Sequence, residues 1–90
     1  MAEIVYTDSY LKRAKKFINN HPELISQYEK TLKLLELNPK HPSLRLHKLA
    51  GKLSELYSVS INISYRISIY FIVDEDKIIP VDIGSHEEVY

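Results

Sequence analysis

Cysteine is absent from the 90 residues. Disulfides, thiolate metal sites and a thiol nucleophile are therefore excluded, and an intracellular home is the simpler expectation. No apolar run approaches the roughly 20 residues needed to span a bilayer. The opening Met1-Ala2-Glu3-Ile4-Val5-Tyr6 lacks the basic region and apolar stretch of a secretory signal. The expectation is a cytoplasmic protein with no membrane partner. A metal centre built from His21, His41, His47 and His86 is a poor reading. His21 and His41 each precede proline in turn-like contexts, and no pair has the i,i+4 spacing of a helical zinc site.

Net charge is lacking too, with 12 basic against 12 acidic side chains, but the balance hides an asymmetry. Residues 1–52 carry ten Lys or Arg against five Asp or Glu, whereas residues 53–90 carry two against seven. A basic first half suits a polyanion-binding face, and equally the solvated helix surfaces that keep any small domain in solution. The length, with 44% hydrophobic residues, fits one domain spanning 1–90 with one core.

What the chain does have is alternation. From Tyr57 to Tyr65 the odd positions are Tyr57, Val59, Ile61, Ile63 and Tyr65, and the even ones are Ser58, Ser60, Asn62 and Ser64. A period of two marks a strand with one dry and one wet face. The pattern continues through Ile67, Ile69, Phe71 and Val73, so a turn near Asn62 to Tyr65 must divide a run too long for one strand. Asp74-Glu75-Asp76-Lys77 marks a second turn, and Ile78 to Ile83 a third strand. The stretch from Leu53 to Tyr90 thus reads as a three-strand antiparallel meander with a terminal tail.

Upstream, Glu3 to Thr7 reads as a short strand, with Thr7 or Asp8 as the N-cap of a helix. Leu11, Ala14, Phe17 and Ile18 recur at helical spacing among Lys12, Arg13, Lys15 and Lys16. Asn19-Asn20-His21-Pro22 stops this helix, and Pro22 suits the first turn of the next. Leu24, Ile25, Tyr28, Leu32 and Leu35 form the apolar stripe of that second helix, which ends near Asn38-Pro39. Two amphipathic helices laid on one face of an antiparallel sheet bury both stripes, so the predicted fold is an α+β two-layer domain.

Between the layers, Lys40, Arg45, His47, Lys48 and Lys52 crowd five cationic or titratable side chains into 13 residues. Leu44, Leu46 and Leu49 are expected to anchor this segment to the core. Loops held by a rigid sheet are common sites of function, but a solvated crossover pairing with Glu55 or Asp82 gives the same composition.

The order of these parts carries a resemblance. A strand, a helical hairpin and a basic loop ending Leu46-His47-Lys48-Leu49-Ala50-Gly51 precede Leu56-Tyr57-Ser58 and Ser64-Tyr65-Arg66-Ile67. The chain closes on Asp82-Ile83-Gly84-Ser85-His86-Glu87-Glu88-Val89-Tyr90. This arrangement resembles the RelE/ParE toxin superfamily over nearly the whole chain, and most resembles its RelE and YafQ-like branch. The resemblance implies the toxin of a type II toxin–antitoxin system: a ribosome-dependent, metal-independent endoribonuclease needing no cofactor. It would cut messenger RNA in the ribosomal A site, and a cognate antitoxin would neutralise it and carry the complex to operator DNA. In that chemistry the 2′-hydroxyl attacks the adjacent phosphodiester, leaving a 2′,3′-cyclic phosphate and a free 5′-hydroxyl.

Such a reaction needs a base, an acid and positive charge for the pentacoordinate phosphate. His86 is the first proton-transfer candidate, since an unperturbed imidazole titrates near 6.5, and His47 matches the histidine of the Leu-His-Lys-Leu segment. The two would divide acid and base roles. Arg66, on the wet face of its strand, offers a fixed guanidinium fork to phosphate oxygens, or else pairs with Asp82. Tyr90 would stack on an unpaired base, join the proton network, or dock on the core. Tyr57, Tyr65 and Tyr70 read as sheet packing. Arg45, Lys48 and Lys52 would hold the RNA backbone. The chain departs from the YafQ-like pattern at Ser60 and Ser64, where that branch carries His and Asp, and its tail, with Glu87 and Glu88, is less basic than that of RelE. Catalysis that rests on fewer groups, or is weak, is the expectation. The alternatives are a ParE-like gyrase inhibitor, which does not depend on the terminal His and Tyr, and an inert binding module of the same fold.

Overall fold

A computed structural model describes residues 2–51, 55–72 and 75–85. Strand β1 spans Glu3–Ile4 and helix α1 spans Asp8–Asn20. Thr7 caps α1, its hydroxyl accepting from the Tyr10 N–H at 3.1 Å. Asp8 adds negative charge in the first turn, where the helix dipole favours it. The strand is shorter than the predicted Glu3 to Thr7 because Thr7 is taken up as the cap, although the Val5 N–H still donates to Ile78 O at 2.8 Å.

His21 ends α1, and a 3₁₀ turn, Pro22–Leu24, leads directly into α2, Ile25–Leu37. A second 3₁₀ turn, Pro42–Leu44, is closed by Arg45 in the left-handed region at φ 50°. The segment read as a basic loop then forms an edge strand, β2, His47–Lys48. The predicted meander follows as β3 (Tyr57–Ser60), β4 (Tyr65–Ile72) and β5 (Lys77–Ser85). The turn near Asn62 is where the sequence puts it: Asn62 Oδ1 accepts from the N–H groups of Ser64 and Tyr65 at 2.8 and 2.9 Å. At the next turn Asp76 takes φ 52°, a conformation that aspartate tolerates, whereas Val73 and Asp74 lie outside the described residues.

The sheet order is β1-β5-β4-β3-β2, antiparallel except for β1, which runs parallel to β5. That parallel edge extends the predicted antiparallel sheet. Pro80 sits inside β5 without breaking it. The register slips beside it, with Ile69 opposite Pro80 and Ser68 opposite Asp82, leaving Val81 as a bulge.

The core lies between the helices and one sheet face. It joins Tyr10, Ala14 and Phe17 of α1 and Leu24 and Leu35 to Val59, Ile67, Ile69, Ile78 and Ile83. Two helix assignments are corrected. Leu11 is 48% exposed and Ile25 41% exposed. Their inward places are taken by Tyr10 and by Thr31, whose hydroxyl donates to Gln27 O at 2.8 Å and so is satisfied when buried. Tyr10 was unreadable as core from composition, since its phenol needs a partner. Tyr28 supplies it, the two hydroxyls lying 2.8 Å apart.

Two outcomes follow for stability. Ile67→Ala is expected to lower the unfolding free energy by about 2–5 kcal/mol, while Leu11→Ala stays within about 0.5 kcal/mol, in chemical denaturation. Burial pushes the Tyr10 phenol up from 10.0, with Tyr28 adding to the shift, and burial also raises Tyr28. Phenols whose folded pKa is raised hold their protons while the unfolded chain loses its own near 10. The contribution of these two phenols should therefore be constant below about pH 9 and fall as pH rises through 10 and above. A stability profile that instead rises above pH 10 would contradict this, and Tyr10→Phe should flatten the alkaline decline.

Candidate functional site

The strand period places even-numbered residues of β3 and β4 on the face away from the helices. Across that outer face the register makes two rows. One runs His47, Ser58, Ser68, Asp82, and the next runs Ser60, Arg66, Gly84. Neighbouring strands are about 4.8 Å apart and successive same-face residues about 6.7 Å, so the Cα atoms of His47 and Arg66 are roughly 12 Å apart. Between them stand only serines, and opposite Arg66 on β5 is a glycine without any side chain. The result is a shallow polar floor with an imidazole at one corner and a guanidinium at another.

The serines are not wet, as the alternation alone suggested. Ser58, Ser60 and Ser68 are buried, because one heavy atom beyond Cβ is shielded by the longer His47, Arg66, Tyr70 and Asp82 beside it in the ladder. Arg66 Nη1 donates to Ser60 Oγ at 3.2 Å, which fixes the guanidinium over β3. Ser58 Oγ, 0% exposed at the residue level, has no hydrogen-bond partner among the described residues.

His47 is exposed on β2, and its Nδ1–H donates to the carbonyl of Arg45 at 3.0 Å. A carbonyl only accepts, so in the neutral ring the proton sits on Nδ1 and the lone pair on Nε2. The left-handed turn at Arg45 is what brings that carbonyl under the ring. Lys48 alternates away from His47 and pairs with Tyr57 rather than Ser58, and both Arg45 and Lys48 are exposed. Lys52, His86 and Tyr90 lie outside the described residues. Ser85, immediately before His86, is paired with Tyr65, and Gly84 with Arg66.

The outer face also holds two residues read from sequence only as an ion-pair partner and as packing. Asp82 shares a row with His47, and its Oδ1 accepts from the Ile83 N–H at 2.9 Å. It also lines a cleft of about 410 Å³ beside α1 with Arg13, Lys16, Asn20 and His21. Tyr70, read as packing, is 41% exposed and stands on the outer face opposite Ile79. Its even number was the available signal. Tyr65 does pack, its ring 5.2 Å from Phe17 and 4.8 Å from His21. His21 and His41 are occupied structurally: His21 is stacked in that cluster, and His41 Nδ1 accepts from the Ser43 N–H at 3.2 Å. No group of metal-ligating side chains occurs among the described residues, nor a helix long and apolar enough to cross a membrane.

Two helices on one face of a mostly antiparallel five-stranded sheet, with a parallel β1 edge, form the RelE/YafQ-like toxin fold. Solved structures with this fold include Escherichia coli YafQ in the DinJ–YafQ toxin–antitoxin complex, 14% identical, with TM-score 0.77 over 99% of this chain and 97% of that one. A copper-bound mutant toxin from Helicobacter pylori is 24% identical, with TM-score 0.72 over the full length of both chains. A YoeB/ParE toxin from Agrobacterium tumefaciens is 12% identical, with TM-score 0.73 over 93% of this chain and 98% of that one. No family model matches the sequence, and no curated protein matches it.

The orphaned hydroxyl gives a direct test of whether the polar floor is built for stability. Removing a buried, unpaired hydroxyl relieves a desolvation cost, so Ser58→Ala should leave the melting temperature unchanged or raise it. A drop of several degrees would show that Ser58 makes a stabilising bond.

Proposed function

We propose that this protein is the toxin of a toxin–antitoxin pair and acts as a metal-independent endoribonuclease on messenger RNA in the ribosomal A site. The observation that supports this reading best is the pairing of Arg66 with Gly84 on the face that also bears His47. The chain reaches His86 one peptide bond past Ser85, which is paired with Tyr65 next to Arg66. A phosphodiester on this face would meet the Arg66 guanidinium, with the His47 imidazole on the same face.

In that arrangement a histidine removes the 2′-hydroxyl proton and the 2′-oxygen attacks phosphorus. The P–O5′ bond breaks, and a second proton donor supplies the leaving 5′-oxygen. Arg66 stabilises the charge gathered on the phosphorane oxygens, a role that a guanidinium fills at any working pH. The Nδ1–H bond to the Arg45 carbonyl puts the lone pair of the neutral His47 ring on Nε2, and in this reading His47 acts as base and His86 as acid. Tyr90 stacks on an unpaired base, and Arg45, Lys48 and Lys52 hold the backbone. An acidic antitoxin segment, ordering as it binds, covers Arg45, His47 and Arg66 and silences the enzyme. The complex reaches operator DNA through that antitoxin.

Expression of the protein with its His86→Ala and Arg66→Ala variants, mapping cut messenger on translating ribosomes, tests the proposal. Cleavage should fall about 10²–10⁴-fold for His86→Ala and about 10²–10³-fold for Arg66→Ala. The products should carry 5′-hydroxyl ends and form in the presence of a chelator. Growth arrest with intact messenger and relaxed or broken DNA would replace this reading with gyrase inhibition. Absence of any toxicity would leave an inert binding module. Full activity in a saturated antitoxin complex would refute the masking of the site.

A further inference from the structure

Past Ile78, the side of β5 that faces away from β4 has no strand beside it among the described residues, and α1 packs there instead. The cleft of about 410 Å³ lies at this edge. Asp82 and Ile83 belong to opposite faces of β5 and both line it, so the cleft wraps the strand edge instead of lying beneath the sheet. Its helix side is Arg13, Lys16 and Asn20, spaced i, i+3 and i+7 and therefore on one face of α1. Arg13 Nη1 donates to the Val81 carbonyl at 3.1 Å, which holds the guanidinium at the edge. Among the described residues neither Arg13 nor Lys16 makes an ion pair, even with Asp82 in the same cleft. Two positive charges thus face one carboxylate, and the excess favours an anion.

An aromatic wall borders the same space. Phe17 and His21 line the cleft with ring centroids 4.7 Å apart, and Tyr65 packs against them at 5.2 and 4.8 Å. Phe17 is buried, whereas the His21 side chain keeps 29% of its surface exposed and so offers this cluster's ring to the cleft. Cations beside an accessible ring are the general make-up of a single-strand nucleic-acid groove, in which charge tracks the backbone and the ring takes a base. The volume suits a ligand the size of one nucleotide.

Asp82 favours RNA over an acidic protein segment as the occupant. Its carboxylate only accepts hydrogen bonds, and Oδ1 already takes the Ile83 N–H at 2.9 Å. Every RNA base carries an N–H or amino donor for the remaining acceptor sites, whereas aspartate and glutamate side chains bring like charge and acceptors alone. Asp82 also joins the cleft to the candidate reaction face. It stands diagonal to Arg66 in the β4–β5 ladder, about 7–8 Å away, and Gly84, directly opposite Arg66, has no side chain to bar the way.

We propose that the cleft between α1 and the unpaired edge of β5 is a subsite for single-stranded RNA, taking the nucleotide next to the one whose phosphate lies on Arg66. Arg13 and Lys16 hold its phosphate, and the His21 ring stacks on its base without selecting which base. The placement beside Arg66 rests on the nuclease reading; the affinity of the cleft for RNA does not.

The test titrates the full chain with a short single-stranded 2′-O-methyl RNA, which lacks the attacking hydroxyl and stays intact, across a range of salt concentrations. Wild type should bind one oligonucleotide per chain. Lys16→Gln and Arg13→Gln should each make the slope of log affinity against log salt shallower by about 0.7, the loss of one phosphate contact. Lys15→Gln, which removes the same charge from α1 outside the cleft, should leave the slope unchanged. His21→Ala should weaken binding about five-fold or more, and His21→Phe should retain it. An equal effect of Lys15→Gln and Lys16→Gln would reduce the cleft to diffuse surface charge and overturn the subsite, as would no binding by wild type. Two oligonucleotides per chain would overturn the path from Arg66. Poly-glutamate displacing the RNA better, charge for charge, than unlabelled RNA does would give the cleft to an acidic protein segment instead. Failure of the nuclease reading is distinct: messenger stays intact on ribosomes while RNA binding and its dependence on Lys16 persist.

Discussion

The ladder between β4 and β5, running from Tyr65 opposite Ser85 to Ile72 opposite Lys77, is the constraint on which the rest depends. Its period of two sorts each strand into residues that face the helices and residues that do not. Ile67, Ile69, Ile78 and Ile83 fall on the first side and anchor α1 and α2. Arg66, Ser68 and Asp82 fall on the second, where no bulky apolar side chain could stand without covering the floor. One register therefore decides both the core and the face on which chemistry can happen. A slip by one residue would exchange them completely.

Size matters as much as polarity on that outer face. Serine at 58, 60 and 68 and glycine at 84 keep the centre low, while His47, Arg66, Tyr70 and Asp82 rise around it. The same shortness explains why the serines are dry although they belong to the face away from the helices.

Short edge strands shape the remaining surface. With β1 ending at Ile4, the second half of β5 has no strand among the described residues on the side away from β4, and Arg13 of α1 donates to the Val81 carbonyl there at 3.1 Å. With β2 ending at Lys48, the far end of β3 borders a cleft beside α2. Unpaired strand edges must be capped or covered, and here the basic first half of the chain supplies the covering elements.

Much of this was legible in the sequence. Alternation fixed the meander and both of its turns. Thr7, Pro22 and Asn38 marked the helix ends, and the odd–even rule put Arg66 opposite the core. Each of these is a local signal, set by backbone geometry within a few residues. What local signals left open was decided by distant contacts. Tyr10 rather than Leu11 turns inward because Tyr28, on another helix, satisfies its hydroxyl. Two residues of the basic segment become a strand because β3 offers them an edge. The parallel docking of β1, the dryness of the serines and the distance from His47 to Arg66 depend on pairings between residues far apart in the chain. Sequence periodicity determines which face a residue takes; only the folded sheet determines which residues share that face side by side.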